Sequence, residues 1–411
     1  MNIQRHTLGN GLRVIHRSID SPVAHCGIFI PAGTRNEEKK EHGIAHFIEH
    51  TIFKGTKKRS MVQVLNRLEN VGADLNAYTT KEETCIHASF LEQYFERALE
   101  LIQDICFHSV FPEPEIEKEK QVVTDEIRSC QDTPSDQIFD DFEDLLFDGH
   151  PLGKNILGTE RSVRSFTRKG IRDFMERNWL PEKCVISLTG RTEFSKLVSI
   201  VEKYYGNEKP KGSRKDNSRD LKYTPTSRFT RKPINQVHCM VGSPAYPFTD
   251  KKRIPMILLN NWLGGPVMNS RLSMALREKN GLTYHIDSTY APYSDTGMFA
   301  IYFGTDPGLY DKALSIIYRE LQQVREIKLS PVKLHTIQKQ LKGQLAIAFE
   351  SNLSLMLSMG KSILRQDRFD LPEVLLKKID QVTAEEILGI ANEILDPNRF
   401  SLLTFIPNSE S

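Results

Sequence analysis

The sequence predicts an α+β protein of two homologous domains, each a mostly antiparallel sheet with helices packed on it. Three observations lead there. At 411 residues the chain is long enough for roughly two or three domains of about 100–200 residues, each with its own core. Segments of the first half recur in order in the second. Each half also reads strand, then helices, then strand again.

Taken in order, "MNIQRHTLGNGLRVIHRS" reads as a β-hairpin turning at "GNG". "AHCGIFIPAG" (Ala24 to Gly33) follows as an apolar strand, echoed by "VHCMVGSPAYP" (Val237 to Pro247). A helix is expected from Gly43 to about Phe53, with Gly55 to stop it. Ser60 is the N-cap of the next helix, with Gln63 completing a capping box and Gly72 at its end. Ala73 to Tyr78 and a run from Thr84 read as paired strands. Pro112 and Pro114 precede a helix whose first turn is acidic through Glu115 and Glu117. From Thr167 to Pro181, and again from Thr383 to Pro397, a Thr N-cap opens an amphipathic helix, a Pro closes it, and a β-rich run follows. Between the copies lies a polar, basic stretch without period, which reads as a linker. The expected organisation is therefore a first domain over 1–207, a linker over 208–232 and a second domain over 233–411.

Composition excludes several classes of function. Lys+Arg 55 against Asp+Glu 53 leaves a formal charge of +2, so nothing points to nucleic acid or an anionic membrane as a partner. No run reaches the ~18 apolar residues of a membrane span, and the N-terminus holds no apolar signal core. The cysteines are scattered with no C-x-x-C pair, which fits a reducing, cytoplasmic setting. There is no Gly-rich phosphate loop, zinc-finger spacing or nucleophilic serine motif.

The chemistry concentrates in "HGIAHFIEHTIFKGT", His42 to Thr56. At about 100° per residue, Ile44, Ile48 and Ile52 share one face of the helix while His46, Glu49 and His50 gather on the other. Histidines at i and i+4 can both reach one Zn²⁺, and Glu49 between them is placed as a general base toward water. His42 lies about 12 Å from His50 along such a helix, too far to share the ion, and is left as a bystander. "EPEIEKEKQVVTDEIRSC" offers a third ligand. Glu119 and Glu126 stand two turns apart on one face, so one could ligate while the other orients a ligand from behind. H-x-x-E-H opposite an apolar stripe is a zinc-hydrolase signature.

These residues resemble the pitrilysin and mitochondrial-processing-peptidase family of zinc peptidases, in its half-length form. The resemblance covers nearly the whole chain and includes "GTRNE" at Gly33, "GIAHFIEHTIFKGT" at Gly43, "ADLNAYTT" at Ala73 and "EKQVVTDEI" at Glu119. It implies His46, His50 and Glu126 as the ligands of one Zn²⁺ per chain, Glu49 as catalytic base and Glu119 as the supporting glutamate. In the second half, "LREKNGLTYHIDS" is similar to the family's Arg and Tyr pair, which implies Arg277 and Tyr284 near the substrate carbonyl, acting across a dimer interface. Pattern alone makes Arg277 a helix-end charge and Tyr284 a half-buried strand aromatic. The resemblance also implies that the strand from Ala73 is an exposed edge on which a peptide adds as a strand, with Asn76 and Ala77 beside the scissile bond.

Registering the two copies puts Leu259, Trp262 and Leu263 where the first has His46, Glu49 and His50, so one half alone carries a metal site. The resulting expectation is a zinc metalloendopeptidase acting on unfolded or extended peptides inside a chamber, as a homodimer. Its rivals are a non-catalytic core-type scaffold, an active subunit that needs a different partner chain, and a purely structural zinc site. The last would require four protein ligands.

Overall fold

The computed structural model describes residues 3–209 and 221–408; residues 210–220 of the expected linker lie outside them. In chain order the first half runs β1 (Ile3–Thr7), β2 (Arg13–Ser18), β3 (Val23–Ile30), α1 (Ile44–Thr51), α2 (Met61–Glu69), β4 (Asp74–Thr79), β5 (Thr84–Leu91), α3 (Phe95–His108), α4 (Glu113–Gln131), α5 (Pro134–Leu146), α6 (Glu160–Ser165), α7 (Arg168–Asn178), β6 (Val185–Gly190) and α8 (Phe194–Tyr205). The second continues β7 (Ser227–Lys232), β8 (Val237–Ala245), α9 (Arg253–Gly264), β9 (Ile286–Pro292), β10 (Gly297–Thr305), α10 (Tyr310–Glu326), α11 (Pro331–Phe349), α12 (Asn352–Gln366), α13 (Pro372–Asp380), α14 (Ala384–Ile394) and β11 (Ser401–Pro407).

The α+β class holds, and the repeat is visible in the topology. One sheet has the order β1-β2-β6-β3-β5-β4 and the other β7-β11-β8-β10-β9. Apart from β1, the two orders match strand for strand. Each sheet contains one parallel pair, β2 with β6 and β7 with β11, and is otherwise antiparallel. The "GNG" turn does join β1 to β2 as an antiparallel hairpin. The last six residues of the expected linker are strand β7. Its "SRFTRK" reads as a linker because it is an edge strand, mostly exposed and charged, with one sheet neighbour.

The compact units are not contiguous in sequence. The first comprises the described parts of Met1–Arg128, Lys154–Ser218 and Ala348–Phe369, and the second Ser129–Gly153, Arg219–Ile347 and Asp370–Ser411. Each half of the chain thus lends a helix to the other unit. In the first unit, Ile28, Ile30 and Ile86 on one sheet face pack with Phe47, Ile48 and Leu101 from α1 and α3. The opposite face, through Ile15, Phe29, Cys85 and Val185, is covered by Leu355, Met356, Met359 and Ile363 of α12. In the second unit α5 does the same, setting Ile138, Phe142 and Leu146 against Met240, Ala300 and Phe405. Among the described residues no helix is long and apolar enough to cross a membrane, and all six cysteines are free.

A buried carboxylate ties α12 to the β4–β5 hairpin. Glu83 is fully buried, Tyr78 donates its hydroxyl to it at 3.2 Å, and Lys361 and Arg365 of α12 approach at 3.5 and 3.3 Å. Lys361 also lies 4.7 Å from the centre of the Tyr78 ring. A carboxylate this deep persists only when paired, so the hairpin and α12 hold each other in place.

The packing of α12 makes a prediction whose sign is diagnostic. A methyl at Gly360 would collide with the buried Phe29 ring, whereas one at Gly343 in α11 would meet nothing. Mid-helix Gly→Ala ordinarily stabilises by about 0.5–1 kcal/mol. Gly360→Ala should instead destabilise by about 1–3 kcal/mol, lowering the melting temperature by several degrees in a thermal scan, while Gly343→Ala should leave it unchanged or slightly raised.

Candidate metal centre

Helix α1 is eight residues long, too short to persist alone, so tertiary contacts must hold it. Ile44, Ile48 and Ile52 are each at most 1% exposed and supply that burial. Gly43, at φ 90°, makes the left-handed entry that a side chain would resist, and a Cβ there would meet the backbone of Leu157 and Gly158. Glu37 caps the helix from upstream, accepting from the backbone N–H of Gly43 at 2.9 Å and of Ala45 at 3.0 Å. Burial pushes the Glu37 carboxyl up to about 8, against the pull of those two donors and of Lys154. The helix ends at Thr51, one turn before Gly55. At its C-cap the Ser109 hydroxyl lies 2.8 Å from the Ile52 carbonyl and equally 2.8 Å from that of Ile105, so it bridges the two helix ends.

The opposite face of α1 meets α4. His46, His50 and Glu126 each offer an atom such that all three lie within 4.8 Å of one another. The two imidazoles stand 4.6 Å apart centre to centre at 63°. Glu126 Oε1 is 3.8 Å from His46 Nε2, and Oε2 is 3.4 Å from His50 Nε2. The other ring nitrogen of His50, Nδ1, faces Glu119 Oε2 at 3.4 Å, and Glu119 Oε1 takes Lys54 Nζ at 2.6 Å. Glu126 thus joins the two histidines in one cluster, while Glu119 lies behind His50. His42 points away, its Nε2 lying 3.0 Å from the Asn155 carbonyl.

Electrostatics follow from burial and from this pairing. Burial, then His50, brings His46 down to about 4, so it is neutral at pH 7 with a lone pair free. Burial pulls His50 down as well, but Glu126 and Glu119 outweigh it and hold it above its usual range. Glu126 is kept low chiefly by His50. Burial raises Glu49, with the nearby Thr79 hydroxyl and His50 partly opposing.

The donor set fits a cation such as Zn²⁺. Among the described residues, His46 Nδ1 and Glu49 Oε2 are buried with no hydrogen-bond partner, a costly arrangement for side chains that serve packing alone. Two imidazoles and one carboxylate, with a further position left for water, is the pattern of a hydrolytic zinc site.

Asn76 and Ala77 lie on β4, the edge of the first sheet, paired with His87 and Ile86 of β5. β4 packs beside α1. Arg277 and Tyr284 lie in the second unit and meet each other, the guanidinium 5.4 Å from the Tyr284 ring centre. Arg277 lies in the last turn of a π-helical segment, Ser273–Glu278, as a helix-end charge would. Tyr284 is not the half-buried strand aromatic that pattern alone predicts: it precedes β9 and is 84% exposed. Leu259, Trp262 and Leu263 are buried in α9, the counterpart of α1 in the repeat. Sequence reasoning overlooked Lys54, Glu37 and Thr79. The first was legible as the next i+4 step after His50, while Glu37 and Thr79 depend on loops and strands that no helical period registers.

Residues 13–160 match the family model described as insulinase (peptidase family M16), and residues 165–341 match the peptidase M16 inactive domain. The uncharacterized zinc protease YmxG of Bacillus subtilis is 32% identical over 95% of each chain. An uncharacterized zinc protease of Rickettsia felis is 31% identical over 96% of this chain and 95% of its own. In fold, the chain is similar to a Pseudomonas fluorescens structure described as a peptidase M16 inactive domain, with a TM-score of 0.93 at 18% identity over 100% and 99% of the two chains. It is likewise similar to a protease from Helicobacter pylori, with a TM-score of 0.91 at 20% identity over 99% of each.

If Glu119 orients His50, Glu119→Gln should weaken zinc binding about 10–100-fold, measured by competition with a chromogenic chelator, with circular dichroism unchanged. Unaltered affinity would show that Glu119 serves Lys54 alone.

Proposed function

Because the chain belongs to peptidase family M16, we propose that it is a zinc metalloendopeptidase that hydrolyses unfolded or extended peptides within a chamber. The observation that carries this reading is the cluster of His46, His50 and Glu126 with Glu49 beside it, its buried Oε2 without a hydrogen-bond partner among the described residues. In this reading the three hold one Zn²⁺ per chain. When bound, the ion supplies Lewis acidity and makes a water acidic enough to lose a proton near neutral pH. Glu49 takes that proton and hands it to the leaving amine. Its buried setting favours the transfer, because burial raises the carboxyl above its usual range and so makes it a better proton acceptor. Glu119, braced by Lys54, fixes the ring plane of His50.

The peptide adds to β4, which has a sheet neighbour on one side only. Main-chain pairing at Asn76 and Ala77 holds an extended segment with little side-chain preference, so folded proteins are poor substrates. Tyr284, exposed, donates its hydroxyl to the developing oxyanion, and Arg277 steadies the neighbouring carbonyl. We assign this pair to the partner copy of a homodimer, each protomer completing the other. The second domain lacks polar side chains at the metal positions and shapes the chamber. Six free cysteines suit a reducing, cytoplasmic setting.

Two measurements test this. Glu49→Gln should lower turnover of an unstructured peptide mixture by about 10²–10⁴-fold while zinc content stays at wild-type level; equal turnover, or wild type that binds zinc and does not cut, would contradict it. Mixing Glu49→Gln with Tyr284→Phe under subunit exchange should restore about a quarter of wild-type activity, because one site in each mixed dimer is intact. No restoration would place Tyr284 in the same chain's site.

A further inference from the structure

We propose that the first unit carries a binding site for a small amphiphilic carboxylate, an apolar body of about one ring bearing one carboxylate, where the C-terminal ends of α3 and α7 meet. The site is a cavity of about 230 Å³. Phe107, Phe111, Met175 and Trp179 form apolar walls, and Lys57, Arg172 and Lys209 stand at its edge. An engineered cavity of about 150 Å³ lined by apolar side chains binds benzene, so one ring fits here.

Three features mark it as built rather than left over. Trp179 is 6% exposed, and its indole N–H is buried without an acceptor among the described residues. A buried indole ordinarily finds a partner, so the site lacks an oxygen that a ligand can bring. Phe111, 2% exposed, holds φ at 52°, in the left-handed region where a bulky side chain is an outlier. Strain of this sort persists where surrounding structure imposes it, and clusters at ligand clamps. The cations are unspent: Lys57 and Lys209 make no ion pair among the described residues, and the recorded bond of Arg172 is a long one, 3.4 Å, to the Val110 carbonyl. One acid, Glu176, stands with them, so the edge is net positive. Apolar walls, a lone donor and a cationic edge together select an anion with an apolar body, its carboxylate held by charge-assisted hydrogen bonds.

The same chemistry is offered by a free small acid and by a peptide C-terminus ending in an apolar residue. The sequence has two tryptophans, so in Trp262→Phe the emission comes from Trp179 alone. Titrating that protein with 3-phenylpropionate should give a saturable change in emission. The uncharged 3-phenylpropionamide should bind at least about fivefold more weakly, and Arg172→Met should weaken the acid without affecting the amide. N-acetylphenylalanine binding more tightly than 3-phenylpropionate identifies a chain terminus as the source, and the reverse a free acid. Should Trp262→Phe fold poorly, calorimetry on the wild-type chain and on Arg172→Met reads the same difference. Absence of saturation, or equal binding of acid and amide, overturns the proposal.

Discussion

Two imidazoles on α1 and a carboxylate on α4 face one another with buried hydrogen-bonding capacity unmet, and the first unit is arranged around that constraint. An eight-residue helix is marginal in water. Burying Ile44, Ile48 and Ile52 contributes about 1.5–3 kcal/mol each, which outweighs the missing helical cooperativity. Burial alone leaves the helix free to slide, and polar contacts fix its ends. Glu37 holds the first turn, Ser109 the last, and Glu119 reaches from α4 to both His50 and Lys54. The pair of helices is thereby locked in register at the cluster.

The duplication shows what happens when the same framework carries no such cluster. β8 is followed by α9 as β3 is followed by α1, but Leu259, Trp262 and Leu263 fill the core where the first copy exposes ligands to one another. Apolar burial then stabilises α9, with Ser288 of β9 donating its hydroxyl to the Asn260 carbonyl at 3.1 Å. Each sheet is covered on its second face by a helix from the other half of the chain, which makes the two halves interdependent in folding although each repeats one plan.

Much of the centre was legible in the sequence because it obeys helical spacing. His46, Glu49 and His50 fall on one face by arithmetic, the Ser60 capping box appears as read, and Thr167 and Thr383 cap matching helices. The exchange of α5 and α12 was not legible, since an amphipathic pattern says that a face is buried but not against which sheet. Strand β7 was hidden because an exposed, charged edge has the composition of a linker. The contact of Ser109 with the end of α1 joins residues distant in sequence, which no helical period registers. Tyr284 departs from its strand pattern because it stands just outside β9 and projects into solvent.

The central claim is that His46, His50 and Glu126 together hold one zinc ion. Anomalous scattering measured on either side of the zinc absorption edge, from crystals grown with zinc, tests it most directly. The account predicts one peak per chain within about 2.0–2.2 Å of an imidazole nitrogen of each histidine and an oxygen of Glu126. A peak at other residues, or none with zinc in excess, would contradict it.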